Sequence, residues 1–200
     1  MNKIITIGRE FGSGGRELGK RIAEKLNIAY YDKEIITEIA KNTDLAIDYV
    51  KQVVEQKPIV YYPISIGGTL NRDYGFICDN ASQVYAEQCK VLKELANNSS
   101  CVIVGRCADY ILRDMNPYRI FVYSDMESKI KRCKLKGEVE ENLSDRKLKK
   151  MIKSVDNDRS RYYSFYTSQA WGDKLNYDLC INTSNKEIKD VVEEVLSLFK

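Results

Sequence analysis

The chain opens with a change of pattern. Residues 3–7 (KIITI) are a short apolar, β-rich run, the signature of a buried strand. After a cluster of glycines, Leu18, Ile22, Ala23 and Leu26 recur at helical spacing, with Glu17, Lys20 and Lys25 between them. That spacing predicts an amphipathic helix. Residues 27–31 (NIAYY) predict a turn and a second short strand. Asp32 then stands where a side chain can cap a helix through Ile35, Ile36 and Ile39. Strand, glycine loop, helix and strand in that order begin a parallel α/β sheet.

Further along, residues 101–104 (CVIV), 119–123 (RIFVY) and 178–182 (DLCIN) repeat the strand pattern. Helical periodicity marks 46–56, 81–96 and the last helix, whose Ile188, Val191, Val192, Val195 and Leu198 face inward. Ser124-x-x-Glu127 and Ser184-x-x-Glu187 predict capping boxes ahead of two helices. Two stretches break the rhythm. Residues 40–80 show helical pieces, two prolines and the Gly67–Gly68 pair, without a clear strand. Residues 137–172 are rich in charge and then in tyrosine, and 144–168 read as largely helical. The pattern predicts a single domain over 1–200, with a parallel sheet as its core and these two stretches as excursions from it.

Composition narrows the chemistry. A charged fraction of 30% beside a hydrophobic fraction of 44% fits a globular domain. A net charge of +3 argues against a nucleic-acid binder. No apolar run approaches a membrane span. The six cysteines are scattered, with no C-x-x-C pair, which suits reduced thiols and a cytoplasmic setting. Cys101 and Cys180 lie in strand-like runs and read as small buried hydrophobes. The absence of histidine excludes Ser-His-Asp and Cys-His triads and histidine-based zinc sites.

The glycine cluster is the strongest chemical signal. Gly12, Ser13, Gly14 and Gly15 follow a strand and precede a helix. Backbone N–H groups can turn inward there to surround an anion, and the helix offers its N-terminus to the same anion. Aligned on the following helix, Gly15 stands where G-x-x-x-x-G-K-[ST] has its lysine and Arg16 where it has its hydroxyl. Arg16 is then the cation expected to replace the lysine. A second signal is Gly105–Arg106, straight after a buried strand, where ligands of open α/β sheets gather. The third is DNDRSRYY (156–163), with Arg159 and Arg161 inside a basic run of Arg146, Lys147, Lys149, Lys150 and Lys153. That run reads either as mobile cations closing over a phosphoryl group or as a solvated basic helix. Asp32 reads chiefly as a helix cap, and also as a group that orients an acceptor or holds Mg²⁺ through water.

Taken in order, GREFGSGGRELGKRIAEKL, YYDKEII, VIVGRCADYIL, RIFVYSDMESKIKRC, DNDRSRYY and YDLCINTSNKEIKDVVEEVL resemble the cytidylate kinase-like family of nucleoside monophosphate kinases. The resemblance implies a P-loop kinase fold, in which 40–80 would bind the acceptor and 137–172 would form a helical lid. It implies ATP as donor, with Mg²⁺, held by Gly12, Ser13, Gly14, Gly15, Arg16 and Glu17. Asp32 and Arg106 would bind the acceptor. Arg16, Arg159 and Arg161 would act on the transferred group. Cys107 stands where cytidylate kinases have the aspartate of G-R-D, and Lys33, Glu34 and Glu38 follow Asp32. These departures point away from CMP. They leave a nucleoside monophosphate, another small acceptor, or a non-catalytic nucleotide sensor as readings.

Overall fold

The computed structural model describes residues 2–55, 73–135 and 143–199. Along the chain run β1 (Ile4–Arg9), α1 (Gly15–Leu26), β2 (Ala29–Tyr31), α2 (Glu34–Thr43), α3 (Ile47–Glu55) and α4 (Asp73–Asn98). Then follow β3 (Cys101–Val104), α5 (Ala108–Ile111), β4 (Tyr118–Tyr123), α6 (Met126–Leu135), α7 (Asp145–Thr167), β5 (Leu179–Asn182) and α8 (Ile188–Leu196). The α/β class and the parallel sheet are as the pattern predicts. The helix expected at 81–96 begins earlier, at Asp73, inside the first excursion. Pro58, Pro63 and Gly67–Gly68 lie outside the described residues.

The strands form one sheet in the order β2-β3-β1-β4-β5, and every pairing is parallel. β1 is central, with Ile7 opposite Val104 on one side and Ile120 on the other. The chain works outward from β1 in one direction through β2 and β3, then crosses to β4 and β5. The carboxyl ends of β1 and β3 therefore open onto a crevice of the kind that holds ligands in such sheets.

Both faces of the sheet are buried, which is why the strands read as nearly continuous apolar runs. Ile5, Ile7, Val102, Val104, Ile120 and Val122 meet Leu18 and Ile22 of α1 and Val191 and Val195 of α8. On the opposite face Ile4, Cys101 and Ile103 meet Ile35 and Ile39 of α2, Val50 of α3, Leu92 of α4 and Tyr162 of α7. Alternate residues of one strand serve opposite layers, as a period of two requires.

The helix starts differ from the sequence expectation. Asp125, not Ser124, caps α6: its Oδ1 accepts from the Ser128 N–H at 2.7 Å. The Ser124 N–H instead donates to Glu10 Oε2 at 3.0 Å, tying the end of β4 to the glycine loop. At α8 no side chain makes a cap bond. Ser184 Oγ instead accepts from the Asp125 N–H at 2.8 Å. Asp32 does not cap α2, whose cap residue is Lys33 without a side-chain bond. In each case a residue from another segment bonds the position that local spacing had assigned to a helix end. The five described cysteines, Cys89, Cys101, Cys107, Cys133 and Cys180, are free thiols. Burial raises the Cys101 thiol to about 11, whereas Cys180 is only half-buried. No described helix is long and apolar enough to cross a membrane.

Candidate functional site

The loop between β1 and α1 is a backbone cradle. Gly12 and Gly14 have φ of 73° and 84°, a region that only glycine enters without strain. A Cβ on Gly12 would lie 3.0 Å from the Lys129 carbonyl oxygen, and one on Gly14 would run into the Ile188 side chain. Gly14 is also the cap residue of α1 and brings no capping side chain, so the first turn of the helix opens toward the loop. Ser13 contributes backbone alone: its buried hydroxyl donates to the Glu10 carbonyl at 2.8 Å. Distant segments hold the loop. Thr183 Oγ1 donates to the Ser13 carbonyl at 2.7 Å, and Arg132 Nη1 donates to the Gly12 carbonyl at 3.3 Å. Lys129 is buried and bridges Glu10 at 2.8 Å and Asp156 at 3.0 Å.

Several arginines gather around this cradle. The cleft is lined by Arg9, Glu10, Phe11, Arg16, Arg132 and Arg159, besides the glycines, Glu17 and Cys133. Arg16 is thus one of several cations here, whereas local spacing left it alone as the substitute for the lysine. Its Nε pairs with Asp32 Oδ2 at 2.6 Å. That pair makes Asp32 a buried anchor for Arg16 rather than a helix cap. Asp32 Oδ1 is buried with no hydrogen-bond partner among the described residues. Glu17 lines the cleft and accepts from Arg21 Nε at 2.9 Å. Arg9 and Arg132 carried no sequence signal of their own, because neither lies in the glycine run. Arg9 is the last residue of β1 and is buried. Arg132 comes from α6 and reaches the carbonyls of Gly12, Thr183 and Lys186.

A second, smaller pocket sits at the carboxyl end of β3. Its walls are Gly8, Arg9, Val54, Gly105, Arg106, Cys107, Asp109, Arg159 and the rings of Tyr162, Tyr163, Trp171 and Tyr177. Gly105, Arg106 and Cys107 all have positive φ, at 75°, 60° and 52°. Two successive non-glycine residues in the left-handed region cost on the order of 1–2 kcal/mol each. Such strain persists where the surroundings impose it, and it clusters at functional sites. Here it directs the buried Arg106 into the pocket, and Gln88 Nε2 braces its carbonyl at 3.0 Å.

Asp109, which the sequence reading passed over, is buried in the same wall. Its Oδ2 accepts from the Tyr163 hydroxyl at 2.6 Å. Burial raises its carboxyl above the usual aspartate value, and the Tyr163 bond pulls partly the other way. Burial and the neighbouring Asp109 carboxylate both raise the Tyr163 phenol.

α7 joins the two pockets. Arg159 lines both, lies over the Phe11 ring at 5.8 Å and donates to the Arg9 carbonyl at 3.3 Å. Arg161 is exposed and lines neither pocket. The helix turns about 100° per residue, so these two arginines diverge. Asp156 is not an anchor for either: it accepts from the Phe11 N–H at 2.7 Å and pairs with Lys129. Arg146, Lys147, Lys149, Lys150 and Lys153 are exposed, which is the solvated-face reading of the basic run. The segment also has core positions that its charge concealed. Leu148 and Ile152 pack with Cys133, and Tyr162 and Tyr163 join the main core.

A five-stranded parallel sheet with a glycine loop leaving its central strand defines a P-loop kinase fold. The chain belongs to the cytidylate kinase-like family, whose model matches residues 4–185. Among solved structures, an uncharacterized protein from Eubacterium ventriosum is similar over 98% of both chains, at 29% identity and a TM-score of 0.71. Shikimate kinase from Bacteroides thetaiotaomicron shares the fold over 98% of both chains, at 15% identity and a TM-score of 0.58. A gluconokinase from Sinorhizobium meliloti does so over 98% of this chain and 90% of its own, at 11% identity and a TM-score of 0.54. A search of curated proteins finds no match.

Proposed function

We propose that this chain is an ATP-dependent phosphotransferase that moves the γ-phosphoryl group to a small acceptor. The observation that supports this reading best is that, among the described residues, Arg9 and Arg159 alone line both the glycine-loop cleft and the β3 pocket. Phosphoryl transfer needs a donor, an acceptor and cations at the point where they meet. A nucleotide sensor has no use for a second pocket joined to the first in this way.

Gly12 and Gly14 give the loop the kind of backbone shape that triphosphate oxygens require, since both have positive φ and a Cβ at either position would collide with Lys129 and Cys133 or with Ile188. The nucleotide would supply the transferable phosphoryl group. Among the described residues no group of three or more acidic or thiol side chains is gathered for a metal. Mg²⁺ would arrive on the nucleotide's own phosphates, with Glu17 in the cleft wall to meet it or its waters, and Asp32 set back behind Arg16. Arg106 and the aromatic wall favour an acceptor with both an anionic group and an apolar face, a nucleoside monophosphate or another small anion. Cys107, buried beside Arg106, offers no carboxylate to a cytosine ring, which argues against strict CMP selectivity.

The pocket around Arg106 has a volume of about 30 Å³, room for about two or three water molecules. The roles of lid and acceptor-binding insertion fall to 137–172 and 40–80, from which Arg159, Tyr162, Tyr163, Trp171 and Val54 line the pocket. Closure would keep water from the phosphoryl group. A coupled ADP-release screen against nucleoside monophosphates and small hydroxyl acceptors tests the proposal. One acceptor class should raise ADP release well above the rate with ATP alone. No stimulation by any acceptor, together with no ATP binding by calorimetry, would overturn it.

A further inference from the structure

The usual phosphate loop reads G-x-x-x-x-G-K, with a glycine six residues before the lysine. In this chain Gly14 is the second glycine of that frame. The lysine position is Gly15, and the position of the first glycine is Arg9. Glycine and cation have exchanged places.

The geometry shows why the two changes belong together. A Cβ on Gly15 would lie 2.5 Å from Arg9 Cβ and 3.2 Å from Arg9 Cγ. Real Cβ atoms do not approach so closely, and the obstacle is the base of the Arg9 side chain, which cannot swing away. The Arg9 stem therefore crosses the face of Gly15 and excludes any side chain there, a lysine included. Its guanidinium continues to the end of β3, where it lies against the Cα of Gly105. The path begins under the donor loop and ends at the acceptor pocket. Arg9 is only 7% exposed and lines both.

We propose that Arg9 takes the place of the phosphate-loop lysine. Its guanidinium binds the phosphoryl group from below while that group passes from donor to acceptor. The inference rests on the phosphotransferase reading. In the transfer a new P–O bond forms to the acceptor oxygen as the bond to the ADP oxygen breaks. Arg9 remains protonated throughout and stabilises charge on the equatorial oxygens. An arginine suits the longer path, because its fork holds two oxygens where an ammonium on a lysine holds one point. Its base lies on the last residue of a central strand, so the cation is aimed by the sheet rather than by the loop.

The test compares ATP with ADP affinity by calorimetry, which needs no knowledge of the acceptor. Arg9→Ala should weaken ATP by about tenfold to a hundredfold and ADP by less than about threefold, because the lost partner is the terminal phosphate. The double variant R9G/G15K restores the usual arrangement, and glycine at position 9 clears the space that the new lysine needs. It should regain at least about threefold of the lost preference for ATP. G15K alone, with Arg9 still in place, should have a lower thermal midpoint than the double variant. Should Arg9→Ala not fold, R9K and R9G/G15K carry the comparison, and R9K should lose at least about threefold in the ATP-to-ADP ratio. A folded Arg9→Ala or R9K variant with the parent's ratio overturns the inference and leaves the phosphotransferase reading standing. R9G/G15K binding ATP no better than R9A also overturns it. A parent protein that binds neither nucleotide overturns both readings together.

Discussion

The glycine-loop cleft and the β3 pocket are built by opposite means. The loop is shaped by backbone. Its shape comes from two glycines at positive φ, and Thr183, Arg132 and Lys129 hold it from a distance. The pocket is walled by side chains. It forces Arg106 and Cys107 into the left-handed region and buries a carboxyl against a tyrosine. A backbone site tolerates no added atoms. A side-chain site tolerates changes of size but not the loss of a polar partner. The two therefore fail differently, and each kind of failure can be provoked.

The largest effect is expected where the two regions meet. Arg159→Ala should lower turnover by about 10²–10³-fold, the loss typical of removing one preorganised transition-state partner. ATP affinity should change little. Arg161→Ala, on the exposed side of α7, should turn over almost as the parent does. Equal losses in both variants would mean that α7 acts through its overall charge rather than through one aimed guanidinium.

On the donor side, Gly14→Ala should destabilise the fold by about 3 kcal/mol. A positive φ costs about 1–2 kcal/mol for an L-residue, and overpacking against Ile188 adds about as much again. Chemical denaturation measures this directly. A loss below about 1 kcal/mol would show the loop to be more pliable than its contacts imply.

The pocket should show a milder loss that depends on pH. Tyr163→Phe removes the donor to the buried Asp109 carboxyl, at a cost of about 1–3 kcal/mol. The Asp109 value in the folded protein lies above its ordinary 3.8. Its contribution is therefore fully present below that ordinary value and is lost as pH rises through the folded one. The Tyr163 hydroxyl steadies the ionised carboxylate, so the variant raises the folded value further. Its deficit against the parent should be smallest below the ordinary value of 3.8 and grow as pH rises through the raised folded values. A deficit independent of pH would show that the bond serves packing alone.

The smallest effect belongs outside both regions. Arg119 and Asp178 pair at 2.7 Å at the amino ends of β4 and β5, and neither lines the glycine-loop cleft or the β3 pocket. The Arg119 bond lowers the Asp178 carboxyl below its ordinary 3.8. The stability it contributes is present above that value and lost as pH falls through the lower folded one. Asp178→Asn should cost less than about 1 kcal/mol at neutral pH, with no change in nucleotide affinity. Altered ATP binding in this variant would mean that the sheet transmits strain from one edge to the other.

The difference between the regions also governs what could be read from sequence. The glycine loop was legible because its requirement is local. Glycines between a strand and a helix are needed whatever surrounds them, and Gly12 and Gly14 occupy the conformations that only glycine takes freely. The strands were legible for a similar reason. Both faces of a parallel sheet are buried, so IITI, CVIV and IFV read as apolar runs. The capping residues were not legible. Ser124, Ser184 and Asp32 have the right local spacing, but Glu10, Asp125 and Arg16 reached them from other segments. Asp109 was hidden in a short helix that its own residues barely specify.

The sequence by itself determined the layers, the sheet, the position of the glycine turn and the family. Each rests on interactions between near neighbours or on the period of burial, and those survive in a string of letters. Only the tertiary structure decided which cations face the site. Arg159 and Arg161 stand two residues apart in the same motif, yet one lines both pockets and the other meets solvent. Arg9 ends a strand without any motif of its own and lies under Gly15. A side chain of that length reaches several ångströms from its backbone, so its destination depends on which elements pack around it rather than on its neighbours along the chain.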